Sequence, residues 1–160
     1  MKKSIHLFCL LTFFMAGSAF AQKYKSVADT GRLNLEYVNV SNDIADLTAK
    51  LTIAQNDLPG YQSKAKTANI DAADAASNSS DQASKATNGN VADAKTAKRK
   101  ANKAYNEAKD SRSAQKKVSD QEDKITRLKL DIKKKQQRLL DLDIMRGAIN
   151  AKMMNDSLAR

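Results

Sequence analysis

Large apolar residues recur in alternating steps of four and three along the first half of the chain: Leu33, Tyr37, Val40, Ile44, Leu47, Leu51, Ala54, Leu58 and Tyr61. That spacing draws one stripe down a helix and predicts a coiled-coil seam. An Ala-rich stretch follows, with Ala65, Ala68, Ala72, Ala75 and Ala86, and then a break at Asn88-Gly89-Asn90. Beyond the break the order reverses. Ala94, Ala97, Ala101, Ala104 and Ala108 come first, then Val118, Ile125, Leu128, Ile132, Leu139 and Leu142. A chain folding back at Gly89 pairs large with large and small with small. The expected fold is all-α: a long antiparallel coiled-coil helical hairpin over 33–158, with a thick base and a thin tip at about 77–92.

Two local patterns compete with this reading. Leu33-Asn34-Leu35-Glu36-Tyr37 alternates as a strand would, although the heptad phase through Leu33, Tyr37 and Val40 favours helix. Pro59-Gly60 reads as a turn, since proline inside a helix costs about 3 kcal/mol. A turn there makes the alternative fold, an elongated three-helix bundle. The four-three rhythm nevertheless crosses the dipeptide from Leu58 to Tyr61, Ala65 and Ala68, so a hairpin kinked near Pro59 is preferred. In the other arm the stripe turns polar at Ser111 and Gln115 before Val118 resumes it, at a similar height.

The C-terminal helix carries two seams. One, Leu139, Leu142, Ile149 and Met153, continues the hairpin stripe. The other, Leu140, Ile144, Gly147, Ala151, Met154 and Leu158, again steps four and three. A helix apolar on two faces needs two neighbours. The base is expected to close through Ile44, Leu47 and Leu51 against Ile125, Leu128 and Ile132, leaving Leu140, Ile144, Ala151, Met154 and Leu158 for an oligomer or a partner protein.

The first 21 residues change the picture, because they read as an address. Lys2 and Lys3 precede an apolar run from Leu7 to Met15, and Ala19-Phe20-Ala21 supplies a small-x-small cleavage site. The run is too short for an ordinary transmembrane helix, and the pattern predicts a secretory signal peptide at 1–21 with a flexible lead-in at 22–32. The expected location is secreted, in the periplasm of a Gram-negative envelope, with no transmembrane segment after cleavage. His6 and Cys9, the chain's only histidine and cysteine, leave with the signal. The remaining chain then has no imidazole base, no thiol and no Cys/His metal site.

Other candidate chemistry is thin. Asp71, Asp74 and Asp81 lack the spacing and closing Glu of a calcium loop, and Ser63 beside Lys64 has no context for a nucleophile. The five glycines form no phosphate cradle. The expectation is therefore no enzyme and no cofactor.

Charge is uneven. Val91–Arg146 holds 17 basic and 9 acidic residues, whereas Gln22–Asn90 holds 7 and 8. Lys116, Lys117, Lys133, Lys134, Lys135 and Arg138 form a candidate face for an anionic envelope polymer. The mature chain has no Trp, so stacking on bases is poorly supplied and specific nucleic-acid reading is not expected.

In its Lys-Lys signal, basic mature chain and long hairpin arms, the sequence resembles the OmpH/Skp-like periplasmic chaperones. That resemblance implies a trimeric holdase joined through a small strand body at the chain ends. Asn150-Ala151-Lys152-Met153-Met154-Asn155 departs from it by reading as helix. The leading expectation is a non-catalytic coiled-coil binding or scaffold protein of the envelope, acting through helix–helix association. The alternatives are such a holdase, or a basic binder of anionic envelope polymers.

Overall fold

The computed structural model describes residues 23–87 and 89–159; the expected signal peptide lies outside them, as does Asn88 of the expected turn. Two helices, α1 (Thr30–Ala86) and α2 (Val91–Leu158), pack against each other as a hairpin. Among the described residues no strand forms. The strand-like alternation at Leu33–Tyr37 is resolved as helix, because Leu33 and Tyr37 turn inward while Leu35 faces water. Nor does α2 give way to the strands that the chaperone resemblance implies, being helical to Leu158.

Pro59 sits inside α1, which runs on without a turn, so the three-helix alternative is excluded. Proline removes the bond that its N–H would give the Gln55 carbonyl. Both Gln55 and Pro59 are exposed, so water can serve the orphaned carbonyl. The inward phase survives the interruption: Ala54 and Ala65 are buried, and Leu58 and Tyr61 are half-buried. The reversal falls where it was expected. Gly89 takes φ 84°, which an L side chain rarely adopts, and its N–H donates to the Ala86 carbonyl at 3.3 Å. Asn90 then caps α2, its Oδ1 accepting the Ala92 N–H at 2.8 Å.

The chain groups into two units. The first combines the chain up to Thr48 with Leu130 onward; the second is Ala49–Lys129. The first unit holds the large-residue core: Leu33, Val40, Leu142, Met145 and Ile149, joined by Tyr24, with Tyr37, Ile44 and Leu139 packed against them. Burying each such side chain stabilises by about 1.5–3 kcal/mol. Tyr24 belongs to the segment expected to be a flexible lead-in. Instead a short 3-10 turn, Val27–Asp29, leads directly into α1 three residues earlier than Leu33. Asp29 Oδ2 accepts from the Ser26 hydroxyl at 2.8 Å and from the backbone N–H groups of Lys25 and Ser26. These hydrogen bonds, led by that of Ser26, hold the Asp29 carboxyl below its usual range.

The second unit is thin. Its buried apolar residues are Ala54, Ala65, Ala75 and Ile125, alongside buried Gln82 and Gln121. Methyl groups remove little area from water, so polar contacts take a larger share of the register. The Gln121 amide reaches across to the Ala54 carbonyl at 2.7 Å, and Gln82 Nε2 to Asp93 at 3.3 Å. Where the α2 stripe turns polar, the Ser111 hydroxyl donates to the Asn69 side-chain carbonyl. Two alanines expected in the seam, Ala94 and Ala101, are exposed. The half-buried positions are Asp93, Thr96, Ala97, Lys100, Ala104, Glu107 and Ala108, with Asp93 and Lys100 each one residue out of phase with those two. The Ser77–Ser80 stretch remains helical, with the Asn78 amide donating back to the Asp74 carbonyl at 2.8 Å.

Candidate functional site

The first unit carries the densest chemistry, and Glu36 is its centre. Glu36 lies on α1 one helical turn beyond Leu33, beside the entering segment and facing α2. Its Oε1 accepts from Arg138 Nε at 2.8 Å and Nη2 at 2.6 Å. Its Oε2 accepts from Lys23 Nζ at 2.8 Å and the Tyr24 hydroxyl at 2.5 Å. Partial burial pushes this carboxyl up, but the hydrogen bonds from Lys23, Tyr24 and Arg138 and the guanidinium charge prevail and hold it down to about 2. One carboxylate thus fastens the lead-in, α1 and α2 together. The Arg146 guanidinium adds a second tie, lying 4.3 Å above the Tyr37 ring. Every partner in this network is a side chain of the chain itself.

Arg138 was a candidate for an anionic partner, and the structure places it elsewhere: it is committed to Glu36. Others of that set are also engaged. Lys135 pairs with Asp43 at 2.6 Å, Lys134 with Asp131 at 3.4 Å and, in the second unit, Lys116 with Asp120 at 2.9 Å. Lys133 and Lys117 are exposed. Four of the six candidate basic residues thus have a carboxylate partner among the described residues.

The second α2 seam fares differently. Leu140, Ile144, Ala151, Met154 and Leu158 are all exposed on the first unit. The geometry follows from helical pitch. Leu140 and Ile144 flank the fully buried Leu142 by two residues, so each projects roughly 200° from it. Of the first seam, Leu142 and Ile149 are buried and Leu139 half-buried, but Met153 is exposed. Met145, between the two seams in phase, takes the inward place. Sequence reasoning passed over it, and also over Tyr24, whose burial had no periodic signal.

Elsewhere in the second unit a shallow groove of about 570 Å³ runs past Ala65, Asn69, Ile70 and Ala73 to Val118 and Glu122. Asp71, Asp74 and Glu107 line a smaller polar hollow with Lys100 and Lys103, whose two ammonium groups offset part of the three carboxylate charges. Among the described residues no group of three or more His, Cys, Asp or Glu side chains is placed to hold a metal ion. No helix among them is long and apolar enough to cross a membrane.

What fold and surface define together is an all-α helical hairpin with an uncovered apolar seam on its second helix. No protein-family model matches the chain, and neither a curated protein nor a solved structure shows significant similarity to it.

Proposed function

We propose that this is a secreted, periplasmic coiled-coil binding or scaffold protein of the cell envelope, acting by helix–helix association and not by catalysis. The observation that carries this reading is the seam of Leu140, Ile144, Met154 and Leu158. It keeps a four-three rhythm for nineteen residues yet stays exposed on its own unit. A solvated helix face has no use for leucine, isoleucine and methionine at that period, whereas a neighbouring helix does. The tripartite N-terminus supports the envelope location. The ion pairs of Lys116, Lys134, Lys135 and Arg138 leave less free positive charge for an anionic polymer, so association through the apolar seam is the better-supported mode.

The test is photo-crosslinking in the producing cell, with a photoreactive residue in place of Ile144. A discrete crosslinked species, lost when Leu140→Asp is added, is the expected result. No crosslink from Ile144, together with an unchanged pattern from Met154, overturns the reading.

A further inference from the structure

The uncovered apolar surface of the first unit is not confined to α2. Leu35 and Val38 of α1 are also exposed. The two helices repeat the same device. On α1, Leu33 is 0% exposed and Leu35, two residues on, is 62% exposed. On α2, Leu142 is 0% exposed and Ile144, two residues on, is 60% exposed. Since Leu33 and Leu142 share the core between the helices, a step of roughly 200° sends Leu35 and Ile144 out of opposite sides of the same unit. One added helix can cover one of these stripes and not both.

A copy of this chain carries what each side needs. We infer that the protein associates with itself head to tail, the outer α1 stripe of one copy (Leu35, Val38) packing on the outer α2 stripe of the next (Leu140, Ile144). The inference rests on the helix-association reading and names its partner. Charge supports this pairing over α2 with α2. Glu36 and Asp43 are bonded to Arg138 and Lys135 within the hairpin. The outward charges that decide the pairing are therefore Asp46 beside the α1 stripe and Lys133 beside the α2 stripe, which are opposite across an α1–α2 contact and like across an α2–α2 contact.

The register is also available. Copies related by rotation about an axis parallel to the helices keep their heights, so residues level within one hairpin are level between hairpins. Within the chain Asp43 is level with Lys135, to which it bonds at 2.6 Å. Three residues up α1 and two down α2 are Asp46 and Lys133, both exposed and without an ion-pair partner among the described residues. At the same register Leu35 and Val38 come level with Leu140 and Ile144. Such a contact is heterologous: each copy offers two different surfaces, so copies add one to the next, in a ring where the rotation closes and in an open row where it does not.

Complementation tests this directly, using the protein as purified from its producing cell. Sedimentation and light scattering should show association of the wild type. Leu35→Asp/Val38→Asp and Leu140→Asp/Ile144→Asp should each reduce it to monomer, with helicity by circular dichroism unchanged because all four side chains are exposed. Mixed in equal amounts, the two variants should form a dimer of twice the monomer mass and stop there, since one intact contact remains between them. A monomeric wild type at all concentrations overturns self-association while a crosslink from Ile144 in the cell would still support a different partner. Loss of association in the α2 variant alone, with no rescue on mixing, overturns the head-to-tail contact and leaves a two-fold α2 pairing. Asp46→Lys and Lys133→Asp should each weaken association about three-fold, and the double variant should regain it. Both side chains point away from the hairpin seam, so that recovery has to arise between copies; its absence counts against the register.

Discussion

Glu36 shows how much one side chain can settle in a helical hairpin. Its carboxylate joins three segments of chain, and the charged form is stabilised by every bond it accepts. Replacing it by Gln should lower stability by about 1–3 kcal/mol at pH 7, read from denaturant unfolding. The dependence on pH has a definite direction. The folded pKa of about 2 lies below the ordinary 4.5, so the contribution is complete above pH 4.5. It is lost as pH falls toward 2, and the gap between wild type and Glu36→Gln should close over that interval. A gap that persists at pH 2 would mean that the carboxylate charge is not what holds the lead-in. Burial supplies a second contrast at the same scale. In dilute protein Leu142→Ala should cost about 2–5 kcal/mol, and Leu140→Ala, two residues away on the wet face, within about 0.5 kcal/mol.

At the scale of the element, Pro59 and Gly89 look alike as helix breakers in the sequence and differ in outcome. Gly89 adopts a positive φ and ends α1; Pro59 lies within the helix on an exposed face. What separates them is the apolar phase, which is continuous across Pro59 and stops before Gly89. Pro59→Ala should therefore raise the melting temperature, restoring a backbone hydrogen bond worth part of the roughly 3 kcal/mol penalty. Gly89→Ala should lower stability by roughly 1–2 kcal/mol, because alanine pays for the left-handed conformation. A fall in melting temperature for Pro59→Ala would indicate a turn in place of a helix. The hairpin, its reversal point and the inward set Leu33, Val40, Ile125, Leu142 and Ile149 were all legible in the spacing. The phase within the alanine arm was not. With Ala at both Ala94 and Ala97, and again at Ala101 and Ala104, the pattern admits two faces, and Asp93 and Lys100 give no hydrophobic cue.

At the scale of the molecule, the uncovered stripes matter more than the core. A self-associating chain gains stability by mass action, so its melting temperature should climb with protein concentration, and the climb should vanish in Leu140→Asp/Ile144→Asp. A melting temperature independent of concentration in the wild type would count against assembly. Of this surface the α2 half was visible in advance as a second four-three seam. Leu35 and Val38 were not, because Leu35 falls within an alternation that reads as a strand and Val38 adjoins a core position.

Spacing alone determined that the chain makes two helices, reverses at Gly89 and carries a second seam on α2, because helical pitch converts linear intervals into faces without reference to anything distant. Tertiary structure alone decided which faces are closed. That Glu36 meets Arg138 a hundred residues away, that Tyr24 completes the core, that Gln121 bonds the Ala54 carbonyl and that Leu35 and Ile144 emerge on opposite sides all depend on the register between helices. Register is set by the summed packing and polar satisfaction of both helices of the hairpin, and no local window of sequence contains that sum.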